Sequence, residues 1–330
     1  SEATDFAKRL RDDVEVFSIG KRPGKDFGAY LRLYKLLRKI RPTIVHTRNI
    51  GTIDCAFVAF LARVPLRIHG EHGWDVFDPD GTNRKYRFMR RVMAPFIQTF
   101  VTVSRDLQRW LAEVVGIRAS KIQHICNGVD TDRFKPRSED VQTDTSNDAV
   151  IGSVTRFSEI KDPLNLVEAF VDLRSKGESV RLLMIGDGEL LEKARSRIRE
   201  SGMDEVADLP GSRDDIPGQL RTMDIFVLGS LREGISNTIL EAMASGLPVI
   251  ASDTGGNPEL IEAGAYGELV PPGDRQALAL AIRDYVQDPE RRVRHGRASR
   301  DRVMSLFSIE RMISDYRALY LNALGIQETG

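Results

Sequence analysis

The second half of the chain alternates short apolar, β-branched runs with longer amphipathic ones. AVIGSVT (149–155), VRLLMIGD (180–187), IFVLGS (225–230) and LPVIAS (247–252) have the length and composition of buried strands. Between them, PLNLVEAFVDLRSKG and ALALAIRDYVQD carry apolar residues at helical spacing, and weaker strands are expected near 206–209 and 267–270. Strands that are apolar on both faces and separated by helices predict a parallel sheet covered on both sides. The first half repeats the alternation: VEVFSI (14–19), the helix FGAYLRLYKLLRKI, TIVHT, a helix through Cys55, LRIHGEH, a basic helix from Thr82, TFVTVS, a further helix and IQHIC. Two doubly wound α/β domains in series are expected, and in such sheets ligands bind outside the carboxyl ends of the strands.

A doubly wound domain normally opens with a buried strand, a Gly-rich turn and a helix. Residues 1–10 read as helix with no strand before them, so the first domain is expected to lack that opening strand, loop and helix. Pro136 begins PRSEDVQTDTSND, a polar stretch without strand signal that reads as a linker. The boundary therefore falls at 1–135 and 136 onward.

Charge sharpens this division. The 48 basic and 48 acidic residues cancel, so no global field points to nucleic acid. Through Arg133, however, 24 basic residues face 15 acidic ones, and from Phe134 onward 24 face 33, which predicts different surfaces for different ligands. The basic surplus gathers in LRLYKLLRKIR and NRKYRFMRRVM, helices that read either as core helices with snorkelling cations or as a peripheral contact with an anionic membrane. Two cysteines make no disulfide framework, no window approaches the roughly 20 apolar residues of a membrane span, and the charged opening SEATDFAKRLRDD does not read as a leader. A cytoplasmic chain is expected, with peripheral attachment at the inner membrane face as the variant.

The most informative segment is REGISNTILEAMASGLPVIASDTGGNPE (232–259). Gly234, Ile235, Ser236 and Asn237 open a helix directly after a strand, and free backbone amides at a helix start favour an anion. Glu233 precedes that helix and Glu241 follows eight positions on, about two turns along. His72 and Gly73 follow the strand LRIHGEH, where Gly73 permits close approach of a ligand to the backbone; His69 within the strand and His295 read as structural, while His46 at a strand end could line a site. Five histidines without an H-x3-H or C-x2-C pattern offer zinc no site.

The spacing E-x7-E with EAMASGLPVIAS and GGNPE resembles the donor-site signature of retaining glycosyltransferases of family 4, which have the GT-B fold. EHGWD (71–75), VSRDL (103–107), NGVD (127–130), TRFSEIKDP (155–163), IGDGE (185–189) and PGSRDDIP (210–217) fall in the family's order over nearly the whole chain, most like bacterial exopolysaccharide and exosortase-associated sugar transferases. The resemblance implies two Rossmann-like domains facing across a cleft, with 136–307 as donor domain and the helix of 308–330 returning to the first. It implies that Arg156 and Lys161 neutralise the donor diphosphate, where fixed cations stabilise the charge gained by the leaving group. Glu241 would bind ribose hydroxyls and Glu233 the transferred sugar. Ser236 and Asn237 would lie against phosphate or sugar, with Gly234 and Ile235 in the same loop. Gly211, Ser212 and Arg213 would meet the base, Asp187 and Gly188 are weaker donor-site candidates, and His72 would face the donor sugar.

The expected activity is metal-independent, cofactor-free retaining transfer of a hexose from a nucleoside-diphosphate sugar to a growing polysaccharide or lipid-linked glycan. Asp78-Pro-Asp80 has the letters of a metal motif but belongs to the acceptor-side loop with Asp75. The alternative is a nucleotide-sugar-binding protein with little turnover for want of the opening loop. A pyridoxal-dependent phosphorylase lacks a recognisable Schiff-base lysine.

Overall fold

The computed structural model describes residues 10–22, 26–74, 78, 80–137 and 148–326, which form two compact units. One unit holds the chain through Val101 together with Trp110–Gln123; the other holds Thr102–Arg109 and everything from His124. The expected helical opening (1–9), Asp75 and most of the linker (138–147) lie outside the described residues.

The first unit contains α1 (Phe27–Ile40), β1 (Ile44–Arg48), α2 (Cys55–Leu61), β2 (Leu66–Glu71), α3 (Arg84–Met93), β3 (Thr99–Thr102) and β4 (Ile122–His124), with the strands in the order β1-β2-β3-β4. The sheet keeps sequence order, and β1 runs parallel to β2. Its core gathers Ile53, Ala56, Ile97, Phe100, Leu111 and Val115 on one side and Leu37, Val58, Ala59 and Val64 on another. The helix after β3 begins as α4 (Arg105–Arg109) and widens into a π-helical stretch at Trp110–Val115.

One expected strand does not form. Residues 14–19 are irregular, with Val14, Val16 and Phe17 each about half exposed. Their backbone joins no ladder among the described residues, and a β-type pattern with neither a partner nor a buried face has nothing to stabilise it.

The second unit is a six-stranded parallel sheet formed by β5 (Ala149–Val154), β6 (Val180–Ile185), β7 (Ala207–Gly211), β8 (Ile225–Leu228), β9 (Val249–Ser252) and β10 (Gly267–Val270). The strand order is β10-β9-β8-β5-β6-β7. The chain leaves β5 towards β6 on one side and later returns to β8 on the other, so the strand order reverses between β5 and β8. At such a switch point the loops leaving neighbouring strands diverge and open a crevice for ligands. Helices α5 (Pro163–Ser175), α6 (Leu191–Glu200), α7 (Ile216–Leu220), α8 (Asn237–Ala244), α9 (Asn257–Ile261) and α10 (Arg275–Gln287) connect the strands, and α11 (Pro289–Leu306) and α12 (Ile309–Leu324) follow. The central strands β8 and β9 are buried along their whole length, as their uninterrupted apolar runs require. The start of α12 is tied to residues 128–129: Val129 N donates to Phe307 O at 2.9 Å and Ile309 N donates to Val129 O at 3.0 Å. Both partners lie in the second unit, although the composition of the chain places 128–129 ahead of the linker.

Candidate functional site

The loop after β5 carries Arg156 and Lys161 and is anchored by Phe157, which is fully buried in the core. Phe157 N donates to Asp187 O at 2.9 Å, and Leu190 N donates to Phe157 O at 2.9 Å. Two glycines let the loop after β6 press against it. A side chain at Gly186 would meet Thr155 O at 1.8 Å and one at Gly188 would meet Phe157 O at 2.4 Å; both positions have positive φ, 138° and 149°. The Asp187 carboxylate accepts from Gly188 N at 2.7 Å. The structure thus places Asp187 and Gly188 where they shape the loop that presents Arg156.

Lys161 and Glu233 come from opposite sides of the switch point and meet. Lys161 Nζ lies 2.5 Å from Glu233 Oε1, and Ser230 Oγ donates to the same oxygen at 2.8 Å. Glu233 is buried, and these two partners satisfy the oxygen that burial takes from water. The backbone joins the same loops, with Leu231 N donating to Ile160 O at 2.9 Å. From behind, Gly255 and Gly256 hold Glu233 in register. A Cβ at Gly255 would stand 1.8 Å from Glu233 O, and Gly256 N donates to Gly234 O at 2.9 Å. The Arg156 side chain is exposed and makes no ion pair among the described residues.

Helix α8 starts beside this cluster. Ser236 is its N-cap, its hydroxyl accepting from Ile239 N at 3.3 Å, while Gly234 and Ile235 are buried in the approach. Asn237 is exposed at the first helical position, where Asn127 Nδ2 donates to its Oδ1 at 2.8 Å. Glu241 stands one turn further on. Burial pushes its carboxyl up to about 7, and Arg133 acts in the opposite direction. Gly211 ends β7 with φ 83°, its carbonyl accepting from Gly186 N at 3.1 Å, and Ser212 and Arg213 follow, both exposed. The residues read from the sequence as donor-binding therefore lie after the carboxyl ends of β5, β6, β7 and β8, at one end of one sheet.

The first unit presents His72 just after β2. Its N–H donates to Asn49 Oδ1 at 2.8 Å, and Asn49 takes a left-handed φ of 53° to make this contact. The ring lies over Gly70, where a Cβ would be 2.4 Å from His72 Nε2 and 3.1 Å from His46 Nε2. Burial, then Arg48 and His46, lower His72 to about 4, so the ring is neutral at pH 7. Burial, His69 and Arg48 do the same to His46. His69 is structural: Thr47 Oγ1 lies 2.8 Å from its Nδ1, and Glu71 lies 3.3 Å from its Nε2.

Sequence reasoning did not assign Ser230, Asn127 or the Gly255–Gly256 pair, which contact the candidate residues of the second unit, or Asn49, which contacts His72 in the first. The only advance signals were a small polar residue at a strand end, two Asn residues in turns, and a doubled glycine. Among the described residues, no group of three or more His, Cys, Asp or Glu side chains is arranged to hold a metal.

The family model described as Glycosyl transferases group 1 matches residues 134–302, and that of Glycosyltransferase Family 4 matches residues 3–133. The chain is 29% identical over 314 residues to the Escherichia coli UDP-Gal:alpha-D-GlcNAc-diphosphoundecaprenol alpha-1,3-galactosyltransferase, covering 90% of this chain and 80% of that one. Three further curated relatives are matched over 46% to 54% of their own length, and two others over 83% and 84%. Among solved structures, a glycosyltransferase from Rickettsia africae superimposes with a TM-score of 0.80 at 24% identity, covering 96% of this chain and 85% of that one. Anabaena HepE in complex with UDP superimposes with a TM-score of 0.79 at 22% identity, covering 89% and 82%. These likenesses place the fold as GT-B, with two Rossmann-like domains.

Proposed function

The chain belongs to the glycosyl transferases group 1, and on that premise we propose that it moves a hexose from a nucleoside-diphosphate sugar to a growing polysaccharide or lipid-linked glycan, with retention of configuration and without a metal. The observation that carries this reading is the cluster at the β5/β8 switch point: Lys161 on Glu233, exposed Arg156 on the adjoining loop, and the amino end of α8. Two cations and a set of free helix amides supply positive charge where a diphosphate leaving group becomes more negative, which lowers the barrier differentially.

In this reading Arg156 and Lys161 hold the diphosphate. Ser236 and the amides of Gly234, Ile235 and Asn237 take phosphate or sugar oxygens, and Glu241 accepts the ribose hydroxyls. Gly211, Ser212 and Arg213 border the base, while Asp187 and Gly188 support the phosphate loop. Glu233 stands beside the transferred sugar: a sugar hydroxyl can donate to the carboxylate while Lys161 is drawn to the phosphate. His72, neutral and aromatic, contributes an uncharged polar group on the first unit.

The partner proposed for the first unit is an anionic membrane surface that presents the acceptor. On α1, Phe27 and Leu31 are exposed together with Lys35 and Arg38; on α3, Phe88 and Val92 are exposed and lie on one face with Arg84. Apolar residues interleaved with cations suit a headgroup layer. Not every cation of these helices is available: Arg90 is buried, and Arg91 donates to the carbonyls of Val114 and Val115. Co-sedimentation with phosphatidylglycerol vesicles should exceed that with phosphatidylcholine vesicles and fall with salt; equal binding to both would remove the membrane from the reading.

The reaction itself is tested by product analysis. Incubation with a panel of UDP-, GDP- and ADP-hexoses and undecaprenyl-diphosphate saccharides should yield an α-linked product from an α-linked donor. An inverted linkage, or nucleotide binding without transfer from any donor, would refute the proposal.

A further inference from the structure

The sequence reads the basic helix α3 either as a core helix whose cations snorkel to water or as a membrane contact, yet its Arg90 does neither: the whole side chain is buried, only 2% exposed. It meets Glu71 in a two-pronged pair, Nε to Oε1 at 2.6 Å and Nη2 to Oε2 at 3.0 Å, and Glu71 is itself 1% exposed. The pair does not stand alone. His69 Nε2 lies 3.3 Å from Glu71 Oε1, Thr47 Oγ1 lies 2.8 Å from His69 Nδ1, and the Arg90 guanidinium sits 4.9 Å above the Trp110 ring. Trp110 packs edge-on to Trp74 at 5.2 Å and donates to Gly81 O at 3.2 Å. This chain of contacts ties β1, β2, α3 and the π-helical stretch to the two residues, Glu71 and Trp74, that bracket His72.

A buried ion pair is a poor way to gain stability, because removing two charges from water costs several kcal/mol per ion and apolar replacements often do as well. Its advantage is directional: two parallel hydrogen bonds fix a carboxylate in one orientation. Glu71 immediately precedes His72, so that orientation is passed on through a single peptide unit. The geometry points to Glu71 and Arg90 as positioning residues that hold the His72 ring over Gly70 for the transfer reaction. This rests on the proposed part of His72 in that reaction.

The test uses the full chain, and its first readout, the titration of the His72 ring, does not depend on knowing the substrate. The five histidine rings are followed by NMR across a pH titration, with the His72 signal assigned from its loss in His72→Gln. The groups that act on the ring are Arg48, His46, His69 and Glu71. In Glu71→Met/Arg90→Met, thermal stability should stay close to that of the parent, whereas the His72 midpoint should rise by one unit or more as the ring escapes into water. In Glu71→Gln/Arg90→Gln, which leaves no unpaired buried charge and serves if the first double variant does not fold, loss of the nearby anion would by itself lower the midpoint. A rise there therefore reports displacement rather than charge. Turnover should fall at least tenfold in both variants with nucleotide affinity unchanged. A His72 midpoint that stays or drops in a folded variant overturns the proposal. Full turnover in His72→Ala overturns the underlying reading of His72 separately, whatever the titration shows.

Discussion

At Glu241 the physical cost of the proposed binding site can be measured in the absence of any ligand. Its folded pKa of about 7 lies above the reference value of 4.5, with burial as the main cause. A carboxyl with a raised folded pKa contributes fully below the unfolded value and loses that contribution as pH climbs through the folded one. Glu241→Gln should therefore leave stability near pH 4.5 unchanged and raise it at pH 8 by up to about 3 kcal/mol. Melting temperatures of the two proteins at both pH values decide this, and a constant difference would contradict it. At Asp162 the strain lies in the backbone, with φ 46° and ψ 51° directly before Pro163 and no side-chain capping bond in return. The left-handed region is costly for any residue with a Cβ, and a following proline narrows the choice further. Asp162→Gly should stabilise the protein by about 1 kcal/mol in urea unfolding; a loss of stability would show that Asp162 makes a compensating contact.

Elements were legible where one short window determined them. The periodicity over 27–40 and the apolar runs at 149–155 and 225–230 each contain their own evidence of burial, and α1, β5 and β8 formed there. The run at 14–19 shows the limit: alternation can state that a strand would have an apolar face, but not that a ladder exists to receive it. Within the candidate site, Arg156, Lys161, Glu233 and Glu241 could be singled out from the sequence because they belong to a long ordered string. The pairing of Lys161 with Glu233 was not, since the two are brought together only by the return of the chain across the sheet. The burial of Arg90 was hidden for a similar reason. It is one of five cations in a short basic segment, and nothing local sets it apart until Glu71 arrives from β2. Glycine pairs join elements in the same way. Gly255→Ala would drive a methyl group into the carbonyl of Glu233 at a position with φ 56°, so it should cost several kcal/mol and displace Glu233. An unfolding curve for Gly255→Ala that matches the parent would show that the loop relaxes freely.

At the scale of the molecule, an all-parallel sheet whose strand order reverses between β5 and β8 delivers its strand-end loops to one crevice, and the second unit carries there the residues proposed for the nucleotide. The central claim is that this crevice holds a diphosphate through Arg156 and Lys161. Lys161 is a poor probe, since its removal strips the buried Glu233 of its cation and confuses stability with binding. Arg156 is exposed and unpaired with any carboxylate among the described residues, so its loss should leave the fold as it was. The decisive measurement is a calorimetric titration of the parent protein and Arg156→Ala with UDP, GDP and ADP. At least one diphosphate should bind the parent, and Arg156→Ala, with its melting temperature unchanged, should bind it about ten- to a hundredfold more weakly, as expected for one charged hydrogen bond. Equal affinity in the two proteins, or no binding of any diphosphate to the parent, would contradict the account.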